Sequence, residues 1–268
     1  MRWIIGDIHG MAKSLQSLIE AVMKQDRAAD LMFAGDYVNR GPDSRQVIEL
    51  LLSLNNARFV RGNHDDIFDL LLRGQSYISH PDGPSPLLAF GWFLEEGLDR
   101  TLSSYGVSEA QIRELVRRPN AQKLTEMLEL VPTSHRQFIA SLPPTIEEKD
   151  LFVVHATWDI HTPTEHPQIA QRLANDGESR HMALWGRFSA RQVGKPKAWE
   201  KRGFFGHTPV ANYLRSPTSS DNVPIVGPQI VLLDTAAALG GYGRLTAFCP
   251  DTQRFIQVDP LGRLVEPS

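Results

Sequence analysis

Gly35-Asp36-Tyr37-Val38-Asn39-Arg40-Gly41-Pro42-Asp43-Ser44 runs straight off the short apolar stretch Leu31 to Ala34. A carboxylate at the carboxyl end of a buried strand, followed by an arginine and then Gly-Pro, serves packing poorly and ligand binding well. Asp36 therefore reads as a metal ligand, placed to bridge two ions. A lone Gly-Asp pair marks an ordinary turn more often than a site, but two other turns share the pattern. Gly6-Asp7-Ile8-His9-Gly10 follows Trp3-Ile4-Ile5, and Arg61-Gly62-Asn63-His64-Asp65 follows Arg58-Phe59-Val60. Each time an apolar run ends at or beside a glycine and is followed by Asp, His or Asn, the oxygen and nitrogen donors that divalent cations take. Three strand ends thus present ligands to one edge of one sheet.

Outward from these turns the elements alternate. Strand Arg2 to Ile5 leads to a helix near Ala12 to Met23, where Leu15, Leu18, Ile19 and Val22 recur on one face. Strand Leu31 to Ala34 leads to a helix near Ser44 to Leu54, and strand Arg58 to Val60 to a helix near Asp65 to Leu72. This order argues an α/β fold with parallel strands and ligands at their carboxyl ends. From Gly74 to about Leu142 the pattern turns helical, with helices near Ala110 to Arg117, Ala121 to Leu130 and Ser134 to Leu142; residues 74–142 read as an insertion beside the site. Thr145 to Glu148 and Leu151 to Val154 read as a hairpin ending at His155. The last third is strand-rich (Gly203 to Phe205, Gln229 to Leu233, Leu245 to Phe248, Arg254 to Val258), with loops at 217–228 and 236–243. His155 and His207 each close a strand. With Asp7, His9, Asp36 and Asn63 they make six donors, enough for two divalent ions sharing one carboxylate. His80, His135, His161, His166 and His181 read as solvated side chains, and Arg61 is left out of the site.

The 268 residues, 41% of them apolar, suffice for one large core, and residues 1–268 read as a single domain. A formal charge of −3 and the lack of any Lys/Arg block speak against nucleic acid and anionic membranes as partners. Arg2-Trp3-Ile4-Ile5 passes directly into the first motif, and no apolar run is long enough for a bilayer, so a soluble, cytoplasmic protein is expected. Cys249, the one cysteine, reads as a buried small hydrophobe. Nothing in the sequence speaks to oligomeric state.

Taken together, Gly-Asp-Ile-His-Gly, Gly-Asp-Tyr-Val-Asn-Arg-Gly, Gly-Asn-His-Asp, His155 and Gly206-His207-Thr208 resemble the phosphoprotein phosphatase superfamily of calcineurin-like dinuclear metallophosphoesterases, which also holds the symmetrical diadenosine tetraphosphate hydrolases. Trp92 through Gly106, Leu184-Trp185-Gly186-Arg187-Phe188 and Leu233-Asp234-Thr235 look like its bacterial serine/threonine-phosphatase branch. The resemblance implies a β-sandwich of two mixed sheets flanked by helices, with the metals at one edge. It also implies that Asp7, His9 and Asp36 hold one ion and Asp36, Asn63, His155 and His207 the other. Manganese is the first expectation for the pair, with iron, zinc, nickel or cobalt as alternatives. By the same resemblance His64 is the general acid and Arg40 and Arg187 bind phosphate, while a bridging hydroxide attacks phosphorus in line.

The chain departs from that pattern at Asn39, where the family usually has the Asp that pairs with the general-acid histidine. An amide oxygen there would accept a hydrogen bond from His64 but bring no charge to stabilise an imidazolium. Thr157 stands where the pattern more often has Gly, a change that would narrow the mouth of the site, and Ala236 and Ala237 depart from a Gly-rich stretch. Trp92 and Phe93 read as packing residues, with stacking on a nucleobase as the alternative. The expected function is a phosphoserine/phosphothreonine protein phosphatase, on the branch resemblance. The alternative is a dinucleoside polyphosphate hydrolase, which Asn39 favours because a nucleotide leaves with less protonation than an alkoxide. A phosphoprotein-binding module with weakened catalysis is the third reading, and the filled ligand positions speak against it.

Overall fold

β1 (Arg2–Ile5), β2 (Asp30–Phe33) and β3 (Ala57–Phe59) run parallel at one end of a six-stranded sheet, in a computed structural model that describes residues 1–78, 84–159, 161, 168–214 and 221–265. Each is followed by a helix: α1 (Ala12–Gln25), α2 (Ser44–Leu52) and α3 (Asn63–Arg73). α3 starts two residues earlier than the apolar periodicity indicates, so Asn63 and His64 occupy its first turn, where the helix dipole favours negative charge nearby. Five helices follow before the next strand: α4 (Pro86–Leu94), α5 (Leu98–Ser104), α6 (Glu109–Arg117), α7 (Ala121–Leu128) and α8 (Thr133–Ser141).

β4 (Thr145–Glu147) and β5 (Leu151–Val154) open a second sheet as an antiparallel hairpin. α9 (Gln168–Asn175), α10 (Gly177–Trp185) and α11 (Ala190–Val193) then lead to β6 (Arg202–Phe205), β7 (Ile225–Val226) and β8 (Ile230–Leu232). β9 (Leu245–Cys249), β10 (Arg254–Val258) and β11 (Leu264–Val265) return to the first sheet. The strand orders are β11-β10-β9-β1-β2-β3 and β4-β5-β6-β8-β7. β5, β6 and β8 are mutually parallel, and β4 and β7 flank them antiparallel.

Period-two alternation fixes how the sheets stack. Ile4, Met32, Val153, Phe204, Val231 and Phe248 meet in one apolar layer between the sheets. Their neighbours Trp3, Ile5, Leu31 and Phe33 turn outward under α1, α2 and α3, while Phe152, Val154, Phe205, Ile230 and Leu232 turn outward toward α9 and α10. Both sheets are thus covered on both faces, the arrangement parallel strands require, and the expected sandwich of two mixed sheets flanked by helices is what the chain forms. Burial of each of these large side chains contributes roughly 1.5–3 kcal/mol.

Several local expectations change. α9, α10 and α11 stand where no element was read: α9 buries only Ile169 and Leu173, too few apolar positions for a periodic signal. β7 lies inside a stretch read as loop, and a two-residue strand bounded by turn residues gives no alternation to see. His135 is buried rather than solvated, its Nδ1 2.9 Å from the Tyr105 hydroxyl. His161 and His181 are exposed as expected, and His80 and His166 fall outside the described residues. Among the described residues no helix is long and apolar enough to cross a membrane.

Candidate metal centre

Every parallel strand of both sheets ends in a polar residue that points chemistry at the same edge. Asp7 and His9 follow β1, Asp36 follows β2, and Asn63 and His64 follow β3; His155 follows β5, His207 follows β6 and Asp234 follows β8. Two glycines let the sheets close on each other there. A Cβ on Gly206 would lie 1.9 Å from Asp7 Oδ1, and one on Gly6 would lie 2.4 Å from the Leu233 carbonyl oxygen.

The turns themselves are strained. His9, Asp36, Asn39, Arg40 and His207 all have positive φ, from 48° to 69°, and among the described non-glycine residues only Ala236 and Gln253 join them. Such a conformation costs an L-residue about 1–2 kcal/mol and persists where the surroundings over-determine it, as at binding sites. Here the surroundings are hydrogen bonds between turns. The Asp36 carbonyl accepts from the N–H groups of Ile8 and His9, and the His9 carbonyl from that of Gly41. Buried Asp65 accepts from the N–H groups of Asp36, Tyr37 and Gly62 at 2.8, 3.0 and 2.9 Å, tying the second turn to the third. Burial and the Asp36 charge push its carboxyl up to about 7.

The donors converge on Asp36. Its Oδ2 lies 3.6 Å from His9 Nε2, 3.4 Å from His155 Nε2 and 3.9 Å from His64 Nε2. Asn63 Oδ1 lies 2.9 Å from His155 Nε2 and 3.0 Å from His207 Nδ1. Nδ1 of His9 faces the Val38 carbonyl at 3.0 Å, and Nδ1 of His155 that of Ala34 at 2.8 Å. Those bonds place a ring hydrogen on Nδ1 and turn Nε2 inward, the orientation a metal ligand needs. Burial pulls His155 down, but the Asp36 charge outweighs it and raises the ring to about 10, so its Nε2 gives up a hydrogen when a cation replaces it. Two groups of donors have their ligand atoms within 4.8 Å of one another: His9, Asp36 and His64, and Asp36, His155 and His207. Asp36 belongs to both, as a bridging ligand would. His64 takes the place in the first group where Asp7 was expected. Asp7 is held just behind, its Oδ2 accepting from His207 N–H at 2.9 Å.

Burial pushes the Asp36 carboxyl up, but the adjacent His155 and His64 outweigh it and hold the group well below the usual carboxylate range. Burial holds His9 down to about 4, and burial with the His155 charge holds His207 down to about 3, so both rings are neutral and free to donate a lone pair. Asp7 Oδ1 and His207 Nε2 are buried without a hydrogen-bond partner among the described residues. An orphaned buried carboxylate oxygen is costly unless something charged comes to it. A buried set of oxygen and imidazole donors with unpaired atoms facing inward fits hard or borderline divalent cations.

Arg40, Arg187 and Asn39 border the centre. Arg40 Nη2 is 3.5 Å from His64 Nε2 and 3.2 Å from Glu96 Oε2. Arg187 is exposed, donates to Thr208 Oγ1 at 3.0 Å, and helps lower the His207 pKa. It also lines a cavity of about 320 Å³ with Thr157, Trp158, Asp159, Arg172 and Phe188. Asn39 corrects the sequence reading: its amide nitrogen, not its oxygen, lies 3.0 Å from His64 Nδ1. The oxygen is taken by the Thr101 hydroxyl at 2.9 Å, and Thr101 Oγ1 in turn accepts from Asn39 N–H at 2.8 Å. Thr157 is buried and its hydroxyl donates to the Met182 carbonyl at 2.7 Å, while it also lines the cavity beside Arg187.

Sequence reasoning gave no role to Asp65, Thr101, Asp234 or an aromatic wall. In that wall Phe93 packs edge-on to His64 at 5.2 Å and to Trp185 at 6.2 Å, and Trp185 meets His207 at 6.4 Å. Phe93 is buried as a packing residue, while Trp92 beside it is 56% exposed.

Residues 2–211 match the model of the calcineurin-like phosphoesterase family. A symmetrical bis(5'-nucleosyl)-tetraphosphatase of Coxiella burnetii is 44% identical over 63 residues, 24% of this chain and 22% of that protein. One of Legionella pneumophila is 39% identical over 82 residues, 30% of each chain. The alignments therefore span less than a third of these relatives. Among solved structures, "a putative diadenosine tetraphosphatase" superposes with a TM-score of 0.55 at 22% identity, covering 96% of this chain and 92% of that one. A protein serine/threonine phosphatase from Saccharomyces cerevisiae gives 0.50 at 14% identity, covering 93% and 72%. At those identities the likeness is one of fold. The family match takes in the turns at Asp7, Asp36 and Asn63 together with His155 and His207, and the chain belongs to the calcineurin-like phosphoesterase family.

Proposed function

We propose that this chain hydrolyses phosphoric esters and anhydrides with the help of two divalent ions, manganese first among them, and that its preferred bond is the phosphoanhydride of a nucleotide such as a dinucleoside polyphosphate. The observation that carries the choice is the Asn39 amide nitrogen on His64 Nδ1. An amide N–H donated to Nδ1 leaves the ring hydrogen on Nε2, the atom that faces Asp36 and Arg40. Full transfer of that hydrogen would leave an imidazolate, a costly anion even with Arg40 beside it. His64 therefore offers the departing oxygen a hydrogen bond rather than a proton. A nucleotide leaves as a stable anion and needs no more; a serine alkoxide needs the proton.

The remaining roles follow from position. Asp7, His9 and Asp36 would hold one ion, and Asp36, Asn63, His155 and His207 the other. When bound, the ions lower the pKa of water and draw charge from the phosphoryl oxygens. Arg40, beside His64, and Arg187, beside Thr208, would clamp those oxygens with planar guanidinium groups. The aromatic wall of Phe93 and Trp185 keeps bulk water from His64 and His207. The cavity that begins at Arg187 is the place for the rest of the substrate. A cytoplasmic location belongs to the same reading, supported by a single cysteine buried in β9.

The test loads chelator-stripped protein with Mn²⁺ and compares diadenosine tetraphosphate, a phosphoserine peptide and p-nitrophenyl phosphate. Activity should be absent before loading, and kcat/KM should be highest on the anhydride. A phosphopeptide turned over as well as the anhydride would return the chain to the protein-phosphatase reading, and undiminished activity after stripping would remove the metals from the account.

A further inference from the structure

Asp234 has no part in the account so far, yet it shares the situation of the expected ligands. It follows the last parallel strand of the second sheet and is 1% exposed. Its Oδ1 accepts from Ala236 N–H at 2.8 Å, and its carbonyl from Val210 N–H at 2.8 Å. Its Oδ2 is buried and has no partner among the described residues, the same condition as Asp7 Oδ1. The two carboxylates are neighbours because the Gly6 backbone packs against the Leu233 carbonyl, so that the next residues of β1 and β8 leave their sheets side by side.

Two buried carboxylates side by side, each with an oxygen that has no partner among the described residues, call for a cation or its water to meet those oxygens. Hydrogen bonds to the turn do not explain the arrangement, since the Ala236 N–H needs only one of the two oxygens. Ala236 sits at φ 58°, so the chain bears left-handed strain at an alanine to keep this carboxylate where it is. Hard divalent ions retain part of their hydration when protein donors are few, and buried carboxylates around them commonly orient that water.

We infer that Asp234 is a further carboxylate of the metal centre: its free Oδ2 accepts a hydrogen bond from the hydration shell of the ion held by Asp7 and His9, which makes it a positioning residue for that ion. The inference rests on the metal reading above but not on the choice of substrate.

Asp234→Asn keeps the acceptor for Ala236 N–H and removes the charge. Mn²⁺ binding to the stripped protein, followed by calorimetry and by electron paramagnetic resonance of the free ion, should show one of two sites weakened roughly 10–100-fold. The stripped variant should melt no lower than the stripped wild type, because the repulsion with Asp7 is gone, and the rise in Tm on adding Mn²⁺ should shrink. Asp234→Glu, which keeps the charge but displaces it, should weaken the same site. Two ions bound by Asp234→Asn with wild-type affinity would overturn the inference. So would a stripped variant that melts well below wild type with metal binding unchanged, which would leave Asp234 as a turn residue only. Complete loss of one ion would overturn the placement in the hydration shell. A wild type that binds no divalent ion would sink this inference and the proposed function together, whereas two ions in the wild type and two of equal affinity in the variant would sink this inference alone.

Discussion

At Asn39 one atom separates the two substrate classes proposed for the site. Because Thr101 holds its side-chain oxygen, the amide presents nitrogen to His64. Restoring a carboxylate by Asn39→Asp would keep the Thr101 bond and place a second acceptor at Nδ1. The ring could then carry hydrogen on both nitrogens and release one outright. We expect kcat on a phosphoserine peptide to rise by at least about tenfold, the low side of what general acid catalysis supplies, with little gain on diadenosine tetraphosphate. Metal content measured alongside separates this from altered loading. Equal gains on both substrates would leave Asn39 with a purely structural hydrogen bond. At this scale most of the candidate site was legible, because Asp7, His9, Asp36, Asn63, His155 and His207 each follow an apolar run, which in every case but His155 ends at or near a glycine. Which end of the Asn39 amide meets His64 was not, since it depends on Thr101, sixty-two positions away. Asp234 was not either. It follows an apolar run like the others and stands out only as part of Leu233-Asp234-Thr235, with no His or Asn beside it to mark a ligand turn.

Arg61 holds elements together rather than chemistry. It is 2% exposed, pairs with Asp69 at 2.7 Å and Asp66 at 3.3 Å on α3, and donates to the carbonyls of Ile139, Ala140 and Leu142 at the end of α8. A cation at a helix carboxyl end meets unsatisfied carbonyls and the negative pole of the dipole. The guanidinium therefore staples the end of α8 to α3, whose first turn carries Asn63. Truncation leaves those carbonyls and a buried carboxylate short of partners, so Arg61→Ala should cost about 3–5 kcal/mol. Hydrogen exchange should show α8 opening before β1 and β2. Lysine, a point charge on a single stem, should restore only part of the loss. A melting temperature unchanged by Arg61→Ala would refute this role. The first-half elements were readable from sequence because each helix buries a full stripe. α9 to α11 were not, since their few apolar residues pack on the outer face of a sheet that comes from elsewhere in the chain.

The whole molecule divides its charges between two edges. The site edge gathers buried groups, and the opposite edge gathers an ion network around Arg2, at the start of β1. Arg2 reaches Glu148 and Asp150 in the β4–β5 turn at 2.7 Å each and Asp251 in the β9–β10 turn at 2.6 Å, so one guanidinium spans both sheets. Arg58 adds Asp30 and Glu148 at 2.5 and 2.6 Å. Periodicity located these strands without showing that the second sheet is parallel at its centre, because among the described residues β6 and β8 are joined by no helix of the usual crossover length. The network shows instead how the two sheets are held in register away from the metals. The Arg2 hydrogen bond leads in holding Asp150 below its usual range. At Glu148 and Asp251 burial pushes upward and the arginines outweigh it. Carboxylates depressed in the folded state contribute stability above their unfolded pKa, about 4, and lose it as pH falls through the folded value. These groups are partly open to solvent, so screening limits the whole network to about 1–2 kcal/mol. Arg2→Ala should therefore lower Tm by roughly 2–8 °C at pH 7, with Mn²⁺ stoichiometry and kcat/KM unchanged. The gap should close as the melts are repeated below pH 4, and should shrink at pH 7 in 1 M NaCl, where the Debye length is about 3 Å. A gap that survives at pH 2.5 would mean that Arg2 acts through the packing of its stem, and the two sheets would then be held by their apolar layer alone.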